Sequence, residues 1–233
     1  MEKVITKVLE LKVGNVEISN LQDNKREVLS SGIKKKPTQK AYLTKVGFSE
    51  DEQGDTLHHG GKNKALFIFS ALTYEKINSY FNSSFDMHGV ASFGENLVLS
   101  EISESDVCVG DVFKIGQGIV QITQPRQPCW KLSAHTEIKD MTKVVFLNGF
   151  TGWYAKVLKE GYISKEDEVI LQKRAHKNLT IAKLNELIVD PMSDEEATKE
   201  ALLCDDLGRA FFASLAKRYE LRDRDDQFSY YHT

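Results

Sequence analysis

The stretch Gln124-Pro125-Arg126-Gln127-Pro128-Cys129-Trp130 constrains the fold of this 233-residue chain more than any other. It follows the strongly strand-like run 112–122. Proline locks φ, offers no backbone N–H and biases the residue before it away from helix. Neither strand nor helix continues through two such residues, so a strand must stop here and pass into a stiff loop. That loop carries Arg126 and, just past Pro128, the thiol of Cys129. A cation within reach lowers a thiol's pKa, and the thiolate is the form that attacks or ligates metal.

The surrounding sequence is mainly β with some α. Short apolar or alternating runs at 4–10, 41–46, 65–69, 96–99, 112–115, 119–123 and 168–172 are divided by turns rich in Gly, Asp and Asn. Gly116-Gln117-Gly118 between two of these runs indicates a tight hairpin. Residues 70–81 have helical spacing, with Ser70 placed as N-cap, and 144–160 is expected to hold another helix broken near Gly149 and Gly152. Near Ala175 the pattern becomes helical. Thr180 can cap a helix in which Ile181, Leu184 and Ile188 share a face, and Pro191 ends it. Ser193 with Glu196 forms a capping box, and Asp206 can cap a third helix carrying Leu207, Phe211, Leu215 and Tyr219. The expected organisation is a β-rich domain over 1–175 and a small three-helix bundle over 176–233.

Composition excludes several classes. Apolar content of 41% and charged content of 28% are those of an ordinary globular chain, and the formal net charge of −3 gives no general attraction to nucleic acid or membrane. No run approaches the roughly 20 apolar residues of a membrane span, and the start lacks a signal-peptide core. A DNA-binding role for the last helices is disfavoured, because residues from 181 onward hold 7 Lys/Arg against 12 Asp/Glu. Three distant cysteines, Cys108, Cys129 and Cys204, make no disulfide framework or metal motif, and a reducing cytoplasm is expected. Cys108 and Cys204 lie in apolar contexts typical of buried thiols, whereas Cys129 does not.

Three further segments carry chemistry. In Gly54-Asp55-Thr56-Leu57-His58-His59-Gly60-Gly61-Lys62-Asn63-Lys64 a glycine pair lets backbone amides approach a ligand, and flanking cations could cradle an oxyanion. Read alone, the plainer account, a glycine-rich turn with solvated lysines, is the favoured one. Glu95-Asn96 could orient a ligand or tie down a turn, and one of Lys34, Lys35 and Lys36 could reach a ligand phosphate. His58, His59 and Cys129 match no zinc spacing.

Taken in order, Gly54-Asp55, His59-Gly60-Gly61 with Lys64-Ala65, Gly94-Glu95-Asn96-Leu97, Gly110-Asp111 and Pro125-Arg126-Gln127-Pro128-Cys129 resemble a MOSC domain (molybdenum cofactor sulfurase C-terminal domain). Residues 152–161 and the helical tail resemble the YiiM-like branch, which carries a three-helix extension. The resemblance implies a barrel-like β body and the molybdenum cofactor, a pterin dithiolene with a phosphate tail. Cys129 would be the molybdenum ligand or would carry sulfur to it, with Arg126 favouring the thiolate. His59, Gly60, Gly61 and Lys64 would hold the cofactor, with Asn96, Lys36 and Arg126 assisting. Asp55 would be a catalytic candidate, with His58 and Glu95 as other proton donors. The implied reaction reduces N-hydroxylated bases such as 6-hydroxylaminopurine, with electrons from a separate flavin or iron–sulfur reductase. The alternative is a non-catalytic cofactor or sulfur carrier using a Cys129 persulfide.

Overall fold

The computed structural model describes residues 3–20, 28–54 and 61–221. Its centre is one long strand, β1 (Lys3–Val13), that pairs along its length with three others. The first half of β1 lies antiparallel to β13 (Glu168–Lys173), and the second half to β8 (Leu97–Leu99) and β4 (Lys36–Thr38). Register shifts at Val4/Thr6 and Val8/Glu10 bend β1 enough to serve both sides. From β13 the sheet continues through β9 (Val112–Ile115), β10 (Gly118–Pro125), β11 (Trp153–Lys159) and β7 (Leu66–Ser70) back to β8. The β1–β13 pairing therefore closes seven strands into a barrel, which removes the open edges that would template aggregation. A small sheet of β5 (Lys40–Thr44), β6 (Gly47–Phe48) and β12 (Gly161–Ser164) and a hairpin of β2 (Glu17–Asn20) and β3 (Val28–Ser31) lie outside that ring.

Alternation along the strands sorts side chains between two cores. Leu66 and Ile68 of β7, Val120 and Ile122 of β10, and Trp153, Ala155 and Val157 of β11 fill the barrel interior. Phe67 and Phe69 point the other way, where they meet Tyr74 and Ile77 of helix α1 (Ala71–Phe81) and Phe93. The pair β7–β8 is the parallel one, and α1 lies in the crossover that a parallel connection needs. The Ser70 hydroxyl accepts from Leu72 N–H at 3.0 Å and starts that helix as expected. The Gly116-Gln117 hairpin also forms, with Gly116 at φ 53°.

Residues 144–160 meet the expectation only in part: the helix and its break at the glycines are present, but a strand follows the break. Helix α3 (Met141–Leu147) ends at Asn148, and β11 follows. The helical period stops at Gly149 and Gly152, with φ of 67° and 63°, after which Trp153-Tyr154-Ala155-Lys156-Val157 alternates with period two.

Three helices close the described chain: α4 (Ile181–Val189), α5 (Glu195–Leu202) and α6 (Arg209–Leu221). Leu184, Leu187, Ile188, Ala201, Phe211 and Leu215 form a third apolar cluster with Val109 and Phe146 of the body. Ile181 N–H donates to Val107 C=O at 2.8 Å and Gly208 N–H to Thr123 C=O at 3.0 Å, so main-chain bonds join these helices to the barrel. Thr180 caps α4 as expected. The capping box does not form: Asp194, one residue later, accepts from Ala197 N–H, while the Ser193 hydroxyl donates to the Asp190 carbonyl. Asp206 caps nothing either, since its carboxylate takes Gln121 and His176 instead.

Gly152 is one of the tight points of the fold, closed in by backbone and ring atoms. A Cβ there would lie 2.5 Å from the Ile68 carbonyl oxygen and 2.6 Å from a Phe69 ring carbon, on a backbone of positive φ. Gly152→Ala is expected to cost about 3 kcal/mol or more, read as a drop of several degrees in Tm.

Candidate functional site

Strand β10 stops where the prolines dictate. Gln124 and Pro125 still pair with Tyr154 and Trp153 of β11, past a register shift, and Arg126 N–H donates to Gly152 C=O at 3.2 Å. Gln127 and Pro128 then lead to Cys129, the N-cap of helix α2 (Trp130–Thr136). The Cys129 carbonyl accepts from Leu132 N–H at 2.9 Å and from the Thr142 hydroxyl at 3.0 Å, which fixes the backbone. Its side chain makes no capping bond. Cys129 is 7% exposed and lines a pocket on the outer face of the barrel.

That pocket holds about 640 Å³ of atom-free space, counting its open mouth. One wall is the polar turn 31–33 with Lys35, facing Glu52, Gln53 and Gly54. Phe67, Phe93 and Tyr154 supply aromatic surface, and Lys64, Arg126, Cys129 and Lys131 supply the chemistry. Four cationic side chains line it against the single carboxylate of Glu52; with Lys35 ion-paired to Asp51 and Glu52 accepting from Val16 N–H at 3.0 Å, the lining remains positive through Lys64, Arg126 and Lys131. Lys64 Nζ lies 5.8 Å from the Tyr154 ring centroid and the Arg126 guanidinium 5.5 Å from that of Phe67. Arg126 is 5% exposed, and its Nη1 has no hydrogen-bond partner among the described residues. A buried charged donor without an acceptor is costly, and a bound anion resolves it.

A buried polar network holds the wall in place. Glu95 accepts from Lys12 Nζ at 2.7 Å, from the Tyr74 hydroxyl at 2.7 Å and from Phe93 N–H at 3.1 Å, and both ends of the ion pair are fully buried. Burial, and next the Glu95 charge, push the Tyr74 phenol well above its ordinary range. Asn96 accepts from Phe67 N–H and donates to Asp51 at 2.9 Å, and Asp51 is ion-paired with Lys35. Burial pushes the Lys35 ammonium down and the Asp51 carboxylate opposes this.

Of the residues singled out from sequence, Cys129, Arg126, Lys64 and Asn96 line this one pocket. Gly61 caps the short 3-10 turn Lys62–Lys64, with open space where a Cβ would stand. Asp55, His58, His59 and Gly60 lie outside the described residues. Lys36 does not line the pocket: it is exposed on β4, and the alternation of extended backbone turns its neighbour Lys35 inward instead. Glu95 and both polar ends of Asn96 are engaged by protein groups, so tying down the wall is their observed part. Cys204 is buried in the third apolar cluster, whereas Cys108 is buried with its Sγ 3.7 Å from the Lys177 carbonyl and with Asp111 and Arg174 nearby. Lys131, Phe67 and Tyr154 were not singled out; for Tyr154 the signal was the period-two pattern of β11.

Among the described residues no three His, Cys, Asp or Glu side chains come together as a metal site. A metal held by the described residues would have to bring most of its own donors. The molybdenum cofactor brings two dithiolene sulfurs and a phosphate, so one cysteine sulfur, a cationic lining in which Arg126 Nη1 lacks a partner among the described residues, and aromatic walls fit it. No described helix is long and apolar enough to cross a membrane.

The fold and pocket define a class: a closed β-barrel with a cysteine delivered by a proline-framed loop into a basic pocket, followed by three helices. The MOSC domain profile matches residues 55–170. YflK of Bacillus subtilis, an uncharacterized protein, is 32% identical over 91% of this chain and 93% of its own length. A protein of Gibberella moniliformis named "Reductase" is 28% identical over 70% of this chain, covering 29% of that longer protein. The crystal structure of YiiM from Geobacillus stearothermophilus superposes with a TM-score of 0.74 at 26% identity, covering 92% of this chain and 99% of that one. The chain belongs to the MOSC domain family, in its YiiM-like branch.

Two outcomes check the wall. Glu95→Leu leaves the Lys12 ammonium buried and unpaired, so a loss of about 3–5 kcal/mol is expected in urea unfolding. His135, on α2, has its pKa lowered by burial and then by Lys34. Below its unfolded pKa the unfolded chain binds the proton more readily, so stability falls as pH drops from about 7 to about 5. His135→Asn is expected to flatten that part of the Tm–pH profile.

Proposed function

We propose that this chain binds the molybdenum cofactor and reduces N-hydroxylated bases or related compounds. The observation that carries the reading is the conjunction of Cys129 with an Arg126 guanidinium whose Nη1 lacks a partner among the described residues, in one cationic, aromatic-walled pocket. The reductase name of the Gibberella relative supports a redox role.

Cys129 would ligate molybdenum; a soft thiolate suits a soft, redox-active metal. Arg126, Lys64, Lys35 and Lys131 would hold the phosphate and other anionic groups, with Gly61 leaving room for the ligand. Phe67 and Phe93 offer flat apolar surface to a heteroaromatic ring. The cofactor supplies two-electron chemistry that removes the oxygen of an N–OH group. The protein binds and orients both molecules, keeps Cys129 the one thiol in the pocket, and limits water around the reacting groups. Electrons come from a separate flavin or iron–sulfur reductase, and the site of action is the cytoplasm.

The test uses protein made in cells able to synthesise the cofactor. Metal and pterin analysis is expected to find about one of each per chain, and the loaded protein with an electron supply reduces 6-hydroxylaminopurine. Cys129→Ser is expected to lower kcat about 100-fold or more, with the fold intact by circular dichroism. Bound cofactor without turnover in the wild type would favour the carrier role, and protein empty of molybdenum and pterin would refute both.

A further inference from the structure

Resting on the reductase reading above, we propose that the Tyr154 hydroxyl donates the proton that lets the substrate oxygen leave as water. Tyr154 lies on β11 opposite Gln124, the residue just before the proline-framed loop. It is 8% exposed, yet it lines the pocket beside Cys129, Arg126 and Lys64. Its ring is held 5.2 Å from Phe67, so the phenol has little freedom to turn away.

The hydrogen-bond inventory sets its direction. The group facing the Tyr154 oxygen is the Arg126 guanidinium, which has donors only. The phenol oxygen can accept from Arg126, but its own proton has no acceptor among the described residues. A hydroxyl that accepts from a cation and has no acceptor for its own proton among the described residues, on the wall of a ligand pocket, is placed to donate to the ligand. Burial pushes the Tyr154 pKa up, the Arg126 charge pulls it partly back, and charge on Cys129 adds to the rise. Arg126 also meets the need that follows, since a transient phenolate there would face a fixed cation.

The step balances. For a substrate R–NH–OH, two electrons from the reduced molybdenum cofactor break the N–O bond. The oxygen takes the Tyr154 proton and leaves as water, nitrogen takes one proton from solvent to give R–NH2, and solvent then reprotonates the phenolate. Tyrosine is among the side chains able to serve as a general acid, with typical effects of about 10²–10⁴-fold.

Tyr154→Phe removes the hydroxyl and keeps the ring on Phe67. The cofactor-loaded variant is expected to contain as much molybdenum and pterin as wild type and to lose about 100-fold in kcat on 6-hydroxylaminopurine. A binding measurement without any electron donor supplies a second readout. The resting wild type is expected to bind 6-hydroxylaminopurine about fivefold more tightly than adenine, and the variant to bind the two alike. A variant with wild-type kcat and undiminished preference would overturn the role of Tyr154 while leaving the reductase reading intact. So would a variant empty of cofactor, which would make Tyr154 a holding residue. A wild type that is loaded but reduces no N-hydroxylated compound would overturn the reductase reading, and this role with it.

Discussion

A lysine and a glutamate with no access to water, Lys12 and Glu95, set the terms for everything built above them. Removing two charges from water costs several kcal/mol per ion, and close pairing with further hydrogen bonds is what offsets it. Here the offset comes from Tyr74 and Phe93 as well as Lys12, so α1, β1 and the turn before β8 must be in place together. The next residue, Asn96, extends the same network to Asp51 and so to Lys35. A basic side chain in the ligand pocket is thus positioned by a chain of contacts that starts in the barrel wall.

The opposite wall is positioned by a different device. Two prolines end a strand, and the backbone of Cys129 is pinned by Leu132 and Thr142. The first wall is rigid through buried charge and the second through restricted dihedrals. Between them the cations outnumber the carboxylates, and Arg126 keeps an unused donor. A pocket of this kind suits an anionic ligand with a flat aromatic part, and under the proposed function that ligand would supply the redox chemistry.

Much of this was legible in the sequence because the signals are local. Proline framing, the Ser70 and Thr180 caps and the Gly116 hairpin each depend on a few adjacent residues, and each appears where expected. What was not legible depended on partners far along the chain. Lys35, not Lys36, faces the pocket because of the pairing of β4 with β1, which the lysine run does not encode. Asp206 looked like a cap but bonds Gln121 and His176, residues 85 and 30 positions away. Residues 153–157 were legible in principle, since their alternation was present, but the glycines before them read as breaks in a helix.

The pairing of β1 with β13 has a consequence for how the chain is made. Lys3 lies opposite Leu171, so the first strand waits for a partner translated more than 160 residues later. At about 5–20 residues per second, that is roughly ten to thirty seconds with half of β1 unmatched. During that interval the nascent polypeptide presents a bare ribbon edge, and shielding by a chaperone or by the ribosome surface becomes part of the economics of its biogenesis.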